Sequence, residues 1–162
     1  ANSPPVVIVQ HMPAEYTGAF ARRLNAYTSI EVREAKDGDV LQTGLALVAP
    51  GGKQLELVSI GGQVKVRIAD GPTVSGHRPS VDVLFRSASA VLRDRAVGVL
   101  LTGMGADGAD GLLQMRERGA HTIAQDESSC VVFGMPKEAI ERGAAEQVLG
   151  LDQIAAGIVQ AA

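Results

Sequence analysis

Residues 97–124 read VGVLLTGMGADGADGLLQMRERGAHTIA, and this stretch indicates the fold class. The apolar run at 97–101 predicts a strand, the pattern over 108–118 predicts a helix, and residues 122–124 predict a second strand. A strand, a helix and a strand in this order are typical of a βαβ unit, in which the two strands run parallel.

The rest of the chain continues the alternation. Val6–Val9 is an unbroken run of β-branched residues, which predicts a strand buried on both faces of a parallel sheet. Gly61-Gly62 stands between two alternating runs, 55–58 and 64–68, and this pattern predicts a β-hairpin. The further predicted strands are 30–34, 45–49 and 147–149, and the further predicted helices are 13–26, 79–92, 136–142 and 152–162, the last capped by Asp152. We therefore predict an α/β fold with a doubly wound, mainly parallel sheet flanked by helices, with one antiparallel hairpin insertion, and a single domain over residues 1–162.

Composition excludes several classes of protein. The chain has 162 residues, 46% of them hydrophobic, and a net charge of -3, whereas a nucleic-acid binder needs a concentrated basic patch. Cys130 is the single cysteine, so an internal disulfide is excluded and a reducing compartment is favoured. No apolar run reaches the length of a membrane span, and the three histidines have no short shared spacing. We predict a cytoplasmic protein without metal, cofactor or membrane insertion.

Two loops that follow predicted strands carry candidate site residues. His11 comes directly after Val6–Val9, and ligands of α/β proteins bind at the carboxyl ends of strands. An imidazole at that place can act as a general base near neutral pH. A structural or exposed histidine is the alternative.

The second loop is 101–108, with glycines at 103, 105 and 108. Its backbone N–H groups could bind an anion or an oxyanion at a helix N-terminus. In one alternative the loop is only a connection in which Asp107 caps the helix. In another it is a G-x-G-x-x-G dinucleotide site with Asp126 as the ribose ligand, although Asp107 and Asp110 would repel a pyrophosphate. Asp107 fits better as the carboxylate that orients an imidazole such as His11.

Other polar residues are weaker candidates. Arg78, in the segment before a predicted helix, could bind a carboxylate, but helix capping and solvation explain that segment equally well. His121 and Cys130 are interpreted as structural residues, Cys130 because it lies next to the apolar residues 131–133.

Five segments together resemble the chemotaxis receptor methylesterases, the CheB family. In order along the chain, they are 7–13 (VIVQHMP), 70–72 (DGP), 77–85 (HRPSVDVLF), 101–108 (LTGMGADG) and 124–136 (AQDESSCVVFGMP). The resemblance implies a catalytic domain that hydrolyses glutamate γ-methyl esters on methyl-accepting chemotaxis receptors, and in many members also deamidates receptor glutamines. It implies that His11 and Asp107 are catalytic, that Met104 contributes to the oxyanion site through its backbone N–H, and that 77–85 shapes the cleft. A phospho-regulated N-terminal receiver domain is the other implied partner.

The family's catalytic serine lies in a Gly-x-Ser-x-Gly-Gly turn, and no serine of this chain has glycine two residues before it. The chain also begins shortly before a predicted strand. We therefore expect the serine to lie on a segment upstream, outside this chain, and the 162 residues alone to be inactive. The alternative is a relative without the serine that docks on a receptor or a receiver domain without hydrolysis.

Overall fold

A computed structural model describes residues 2–162. The chain folds as two compact units, of which the first ends at Leu84 and the second runs from Phe85 to Ala162. Eight strands, five α-helices and one 3-10 turn lie within the described residues.

The first unit contains a parallel sheet in the order β1-β3-β2. Its strands are β1 (Val6–Ile8), β2 (Glu31–Glu34) and β3 (Leu45–Val48), and helix α1 (Ala14–Tyr27) packs on β2 and β3. Pro13 stands at the N-cap of α1, as predicted, because proline tolerates the start of a helix.

The predicted burial of the first strand is wrong. All three residues of β1 are only partly buried, whereas all four residues of β3 are buried. The reason is position, since β3 lies between two partners while β1 lies at an outer place in the order. A continuous apolar run in the sequence therefore does not indicate whether a strand lies at the edge or in the middle of the sheet.

The hairpin consists of β4 (Gln54–Ile60) and β5 (Gln63–Ala69), paired antiparallel with Ile60 opposite Gln63. The φ angles of Gly61 and Gly62 are 60° and 78°. Both lie in the left-handed region that the favoured two-residue hairpin turn requires, so the glycine pair determines this turn. The hairpin prediction is confirmed.

Helix α2 (Val81–Leu92) and a 3-10 turn (Arg93–Arg95) lead into a second parallel sheet, ordered β6-β7-β8. Its strands are β6 (Val97–Leu100), β7 (His121–Gln125) and β8 (Gln147–Leu149), and its helices are α3 (Ala109–Glu117), α4 (Met135–Glu141) and α5 (Leu151–Ala161). Gly98 lets α3 approach β6 closely, because a Cβ there would lie 2.7 Å from Cδ1 of Leu112.

The α/β class, with mainly parallel strands, flanking helices and one antiparallel hairpin, is thus confirmed. The predicted cap of the last helix is wrong. Gly150 is the N-cap of α5, and its N–H donates to the Gln153 side chain at 3.4 Å. Asp152 lies within the first helical turn instead. Among residues 2–162, no helix has the length and apolar character needed to cross a membrane.

Candidate functional site

His11 lies in the loop between β1 and α1, beyond the carboxyl end of the strand. The loop rests on the turn after β3, since a Cβ on Gly51 would lie 2.5 Å from the Ala14 nitrogen and 2.6 Å from the Met12 oxygen. Only glycine permits this approach of two backbones. The segment directly after His11 therefore packs backbone to backbone against the turn at Gly51.

Thr17 secures the same region from within α1 and is fully buried. Its hydroxyl donates to Oε2 of Glu34 at 2.6 Å and accepts from the N–H of Gly51 at 3.1 Å. One hydroxyl thus links α1, the end of β2 and the turn after β3. Sequence reasoning missed Thr17, because a threonine on a helix carries no signal of such partners.

His77 stacks on His11. The two ring centroids are 3.6 Å apart and the ring planes differ by 2°. Both rings line an open surface pocket of about 630 Å³, and the segment 77–79 forms part of its wall. The sequence interpretation assigned His77 no chemical step, and the structure brings it onto the candidate base.

The loop after β6 is built on a contact with the segment before α4. Gly103 pairs with Phe133 as a parallel bridge, and its carbonyl accepts from the N–H groups of Gly134 and Met135 at 3.1 and 2.8 Å. Met104, the next residue, is 80% exposed. The main chain at the candidate oxyanion position is therefore anchored from one side while the Met104 side chain faces solvent.

Asp107 is 1% exposed and lies at the end of this loop. Gly108, with φ 93°, is the N-cap residue of α3 and has no side chain with which to cap it. Asp107 therefore directly precedes the N-cap position, and the alternative in which its side chain caps the helix stays open. Burying a carboxylate this deeply costs free energy unless the group is hydrogen-bonded or paired. Such burial is typical of a residue that has a functional role or belongs to a hydrogen-bond network.

Asp126 supports its own turn. One carboxylate oxygen accepts from the Ser129 hydroxyl at 2.6 Å and the Ser129 N–H at 3.0 Å, and the other accepts from the Ser128 hydroxyl at 3.1 Å. The Ser129 hydroxyl, followed by its N–H, lowers the pKa of Asp126 below the ordinary 3.8. A ribose ligand would have to compete with these bonds, which argues against the dinucleotide alternative.

Gln125, fully buried beside Asp126, joins that turn to the glycine loop. Its Oε1 accepts from the Thr102 N–H at 2.8 Å, and its Nε2 donates to the Ser129 carbonyl at 2.9 Å. Sequence reasoning missed this residue as well. A buried glutamine at a strand end is the signal that could have found it, since such an amide must be hydrogen-bonded.

The positions of the remaining candidates, His121 and Cys130, agree with structural roles. The His121 ring contacts Glu146 at 3.0 Å on the surface. Cys130 is half-buried, and burial raises the pKa of its thiol, which disfavours the thiolate. Within residues 2–162, no group of three or more potential ligands could hold a metal ion.

The candidate residues fall into the two units separately. His11 and His77 belong to the first unit, and Met104 and Asp107 belong to the second. His11 and His77 contact each other through the ring stack, and Met104 and Asp107 lie on the same loop. The pairing of His11 with Asp107 stays a prediction.

The two units each contain a parallel sheet flanked by helices, and the candidate polar residues follow strand ends. The family model of the CheB methylesterase matches residues 1–158. The chain therefore belongs to the CheB methylesterase family.

Individual relatives support the same family assignment. The chain is 56% identical over 153 residues to a protein-glutamate methylesterase/protein-glutamine glutaminase of Leptospira interrogans, covering 94% of the chain and 44% of that protein. It is 57% identical over 159 residues to one of Anaeromyxobacter dehalogenans, covering 98% of the chain and 45% of that protein. The chain thus spans less than half the length of these curated relatives.

A solved structure also matches. The CheB methylesterase catalytic domain of Thermotoga maritima superposes with a TM-score of 0.96 at 36% identity, covering 99% of the chain and 86% of that domain. The resemblance first seen in five short segments therefore extends over the whole fold.

Proposed function

We propose that this chain is the catalytic domain of a protein-glutamate methylesterase that hydrolyses glutamate γ-methyl esters on methyl-accepting chemotaxis receptors. The observation that carries the proposal is the family match over residues 1–158, which includes both His11 and Asp107. The relatives' names add glutaminase activity, so we also propose deamidation of receptor glutamines. The receptors and a phospho-regulated receiver domain are the proposed partners, and the cytoplasm is the proposed location.

We propose further that residues 1–162 act as a single catalytic domain. The continuous match of one family model and the 99% coverage by one solved catalytic domain support this. The proposed catalytic pair of His11 and Asp107 requires it, because the two residues belong to different halves of the sequence.

The proposed reaction uses a serine from outside these 162 residues, since none of their serines stands in a Gly-x-Ser-x-Gly-Gly turn. The serine hydroxyl attacks the ester carbonyl while His11 takes its proton. Asp107 orients the His11 ring and stabilises the imidazolium. The N–H at Met104 donates to the oxyanion, and the anchoring of Gly103 by the Gly134 and Met135 amides supports that role.

The intermediate collapses as the carbon–oxygen bond to the methoxy group breaks, and His11 returns its proton to form methanol. Water then attacks the acyl-enzyme with His11 again as the base, which releases the glutamate carboxylate and restores the serine. With glutamine as substrate, the same steps release ammonia. His11 therefore serves as both acid and base.

The test measures methanol release from methylated receptor by the full-length protein that contains these residues. His11→Ala should abolish turnover, and Asp107→Asn should lower kcat on the order of 10⁴-fold, the size of this effect in Ser-His-Asp hydrolases. His121→Ala is the matched control, since its ring lies on the surface against Glu146, and it should leave kcat unchanged.

Full activity in His11→Ala would contradict the proposed base. A full-length protein that binds receptor but releases no methanol would overturn the hydrolase proposal and favour the non-catalytic docking alternative.

A further inference from the structure

We propose that His77 is a positioning residue for His11, holding the catalytic imidazole by a face-to-face stack. The inference rests on the proposed function, because it needs His11 to be the base. It assigns a role to a histidine that the proposed chemical steps leave unused.

The geometry of the stack suits one charged ring and one neutral ring. The centroids are 3.6 Å apart and the planes differ by 2°. Atoms in contact lie about 3.5–4.0 Å apart, so the rings have little room for a sideways offset. Two neutral rings prefer an offset or an edge-to-face arrangement, whereas a cation is attracted to the face of an aromatic ring. His11 becomes such a cation when it takes the serine proton.

The backbone of His77 is fixed by a tight turn. The Val74 N–H donates to the His77 carbonyl at 3.0 Å, and the His77 N–H donates to the Val74 carbonyl at 2.9 Å. Between them, Ser75 and Gly76 have φ angles of 52° and 78°. A left-handed serine is uncommon and persists where the surroundings determine the conformation.

Gln54 holds the same segment from β4. Its Nε2 donates to the carbonyls of Pro72 and His77, each at 3.1 Å, and its Oε1 accepts from the Ser80 N–H at 2.9 Å. Gln54 is 6% exposed as a residue, so water competes little for these bonds. One buried amide thus fixes the segment before, at and after His77.

Asp82 supplies a third support, from the first turn of α2. It is 1% exposed, and its Oδ2 accepts from the Ser75 hydroxyl at 3.1 Å. The turn that presents His77 is therefore held through its backbone and through Ser75. A ring carried on a backbone held in this way can restrict the plane of its neighbour, which is how a supporting residue pre-organises a catalytic one.

Two charged side chains, Glu15 and Arg78, line the same open surface pocket as the stacked rings. Nη1 of Arg78 donates to the Gly71 carbonyl at 2.6 Å, which directs that group to the backbone. The charges of Glu15 and Arg78 are opposite in sign.

The test compares His77→Ala with His77→Phe in the full-length protein. Alanine removes the ring, and kcat for methanol release should fall about tenfold with KM within about twofold of the wild-type value, because the loss appears in the transition state. Phenylalanine keeps an aromatic face and should restore kcat to within about threefold of the wild-type value. His121→Phe is the matched control and should change neither constant.

A spectroscopic readout is independent of turnover. In the NMR spectrum, a stacked ring shifts the His11 carbon-bound ring protons upfield. That displacement should disappear in His77→Ala and persist in His77→Phe. Unfolding curves of both variants establish that each is folded.

Wild-type kcat and unmoved His11 signals in His77→Ala would overturn the inference. A phenylalanine variant as impaired as the alanine variant, or an effect confined to KM, would overturn it too, since either result assigns His77 to another role. If the unmodified protein releases no methanol, the proposed function fails, and the ring-proton shifts then decide by themselves whether His77 holds His11.

Discussion

The substitution Gly134→Ala tests the contact on which the proposed oxyanion loop is built. A Cβ at this position would lie 2.6 Å from the Gly103 oxygen, 3.0 Å from the Gly105 nitrogen and 3.1 Å from the Met104 Cα. All three are backbone atoms, so no side-chain rotation can relieve the contact. Gly134 has φ −111°, which any residue adopts, and the cost is therefore steric.

The expected loss in the free energy of unfolding follows from the distance that the backbone around Gly134 must move. The shortest contact must lengthen from 2.6 Å to at least 3.4 Å, where ordinary van der Waals contact begins. That movement also stretches the bonds from the Gly134 and Met135 amides to the Gly103 carbonyl, now 3.1 and 2.8 Å. Overpacking typically costs 1–3 kcal/mol and a hydrogen bond about 1 kcal/mol, so we expect a loss of about 2–4 kcal/mol in the free energy of unfolding.

Urea denaturation of the variant and the parent protein at 25 °C measures this loss. Gly18→Ala is the matched control, because its Cβ would meet only the side-chain ends of Arg22 and Glu34, at 3.4 and 3.5 Å. Within α1 that change should stabilise by about 0.5–1 kcal/mol. A Gly134→Ala protein within about 0.5 kcal/mol of the parent, the range of neutral surface substitutions, would refute the reasoning.

Two further substitutions test other parts of the structure. The hydrogen bond from Arg33 is the main cause that holds the pKa of Asp39 below its ordinary 3.8. The ionised Asp39 therefore stabilises the folded protein fully above pH 3.8, and this stabilisation is lost as the pH falls through the lower pKa of Asp39 in the folded state. The difference in unfolding free energy between the parent and Asp39→Asn should therefore stay constant near neutral pH and shrink in acid, and a difference that grows in acid would contradict this sign. Gln125→Leu removes the acceptor of the Thr102 N–H and should cost about 1–3 kcal/mol in urea denaturation. The exposed Gln160→Leu, near the end of α5, serves as its control, and equal effects of the two would argue against the buried network.

Much of the secondary structure was predictable from sequence because its causes are local. Period-two alternation around Gly61-Gly62 predicted the hairpin, and alternating apolar runs and helical patterns predicted the parallel strands. The loops that carry His11 and Asp107 were found for the same reason, since each directly follows a predicted strand. The burial of Val6–Val9 was wrongly predicted, because the order of strands in a sheet is not local information.

The sequence by itself therefore determined the α/β class, the hairpin and the two loops with candidate site residues, each of which depends on neighbours along the chain. Only the tertiary structure decided that His77 stacks on His11, that Gln54 fixes the turn presenting it, and that Gly134 must be glycine. These contacts join residues distant along the chain. Their energies depend on distances of a few tenths of an ångström, which no pattern of residue types contains.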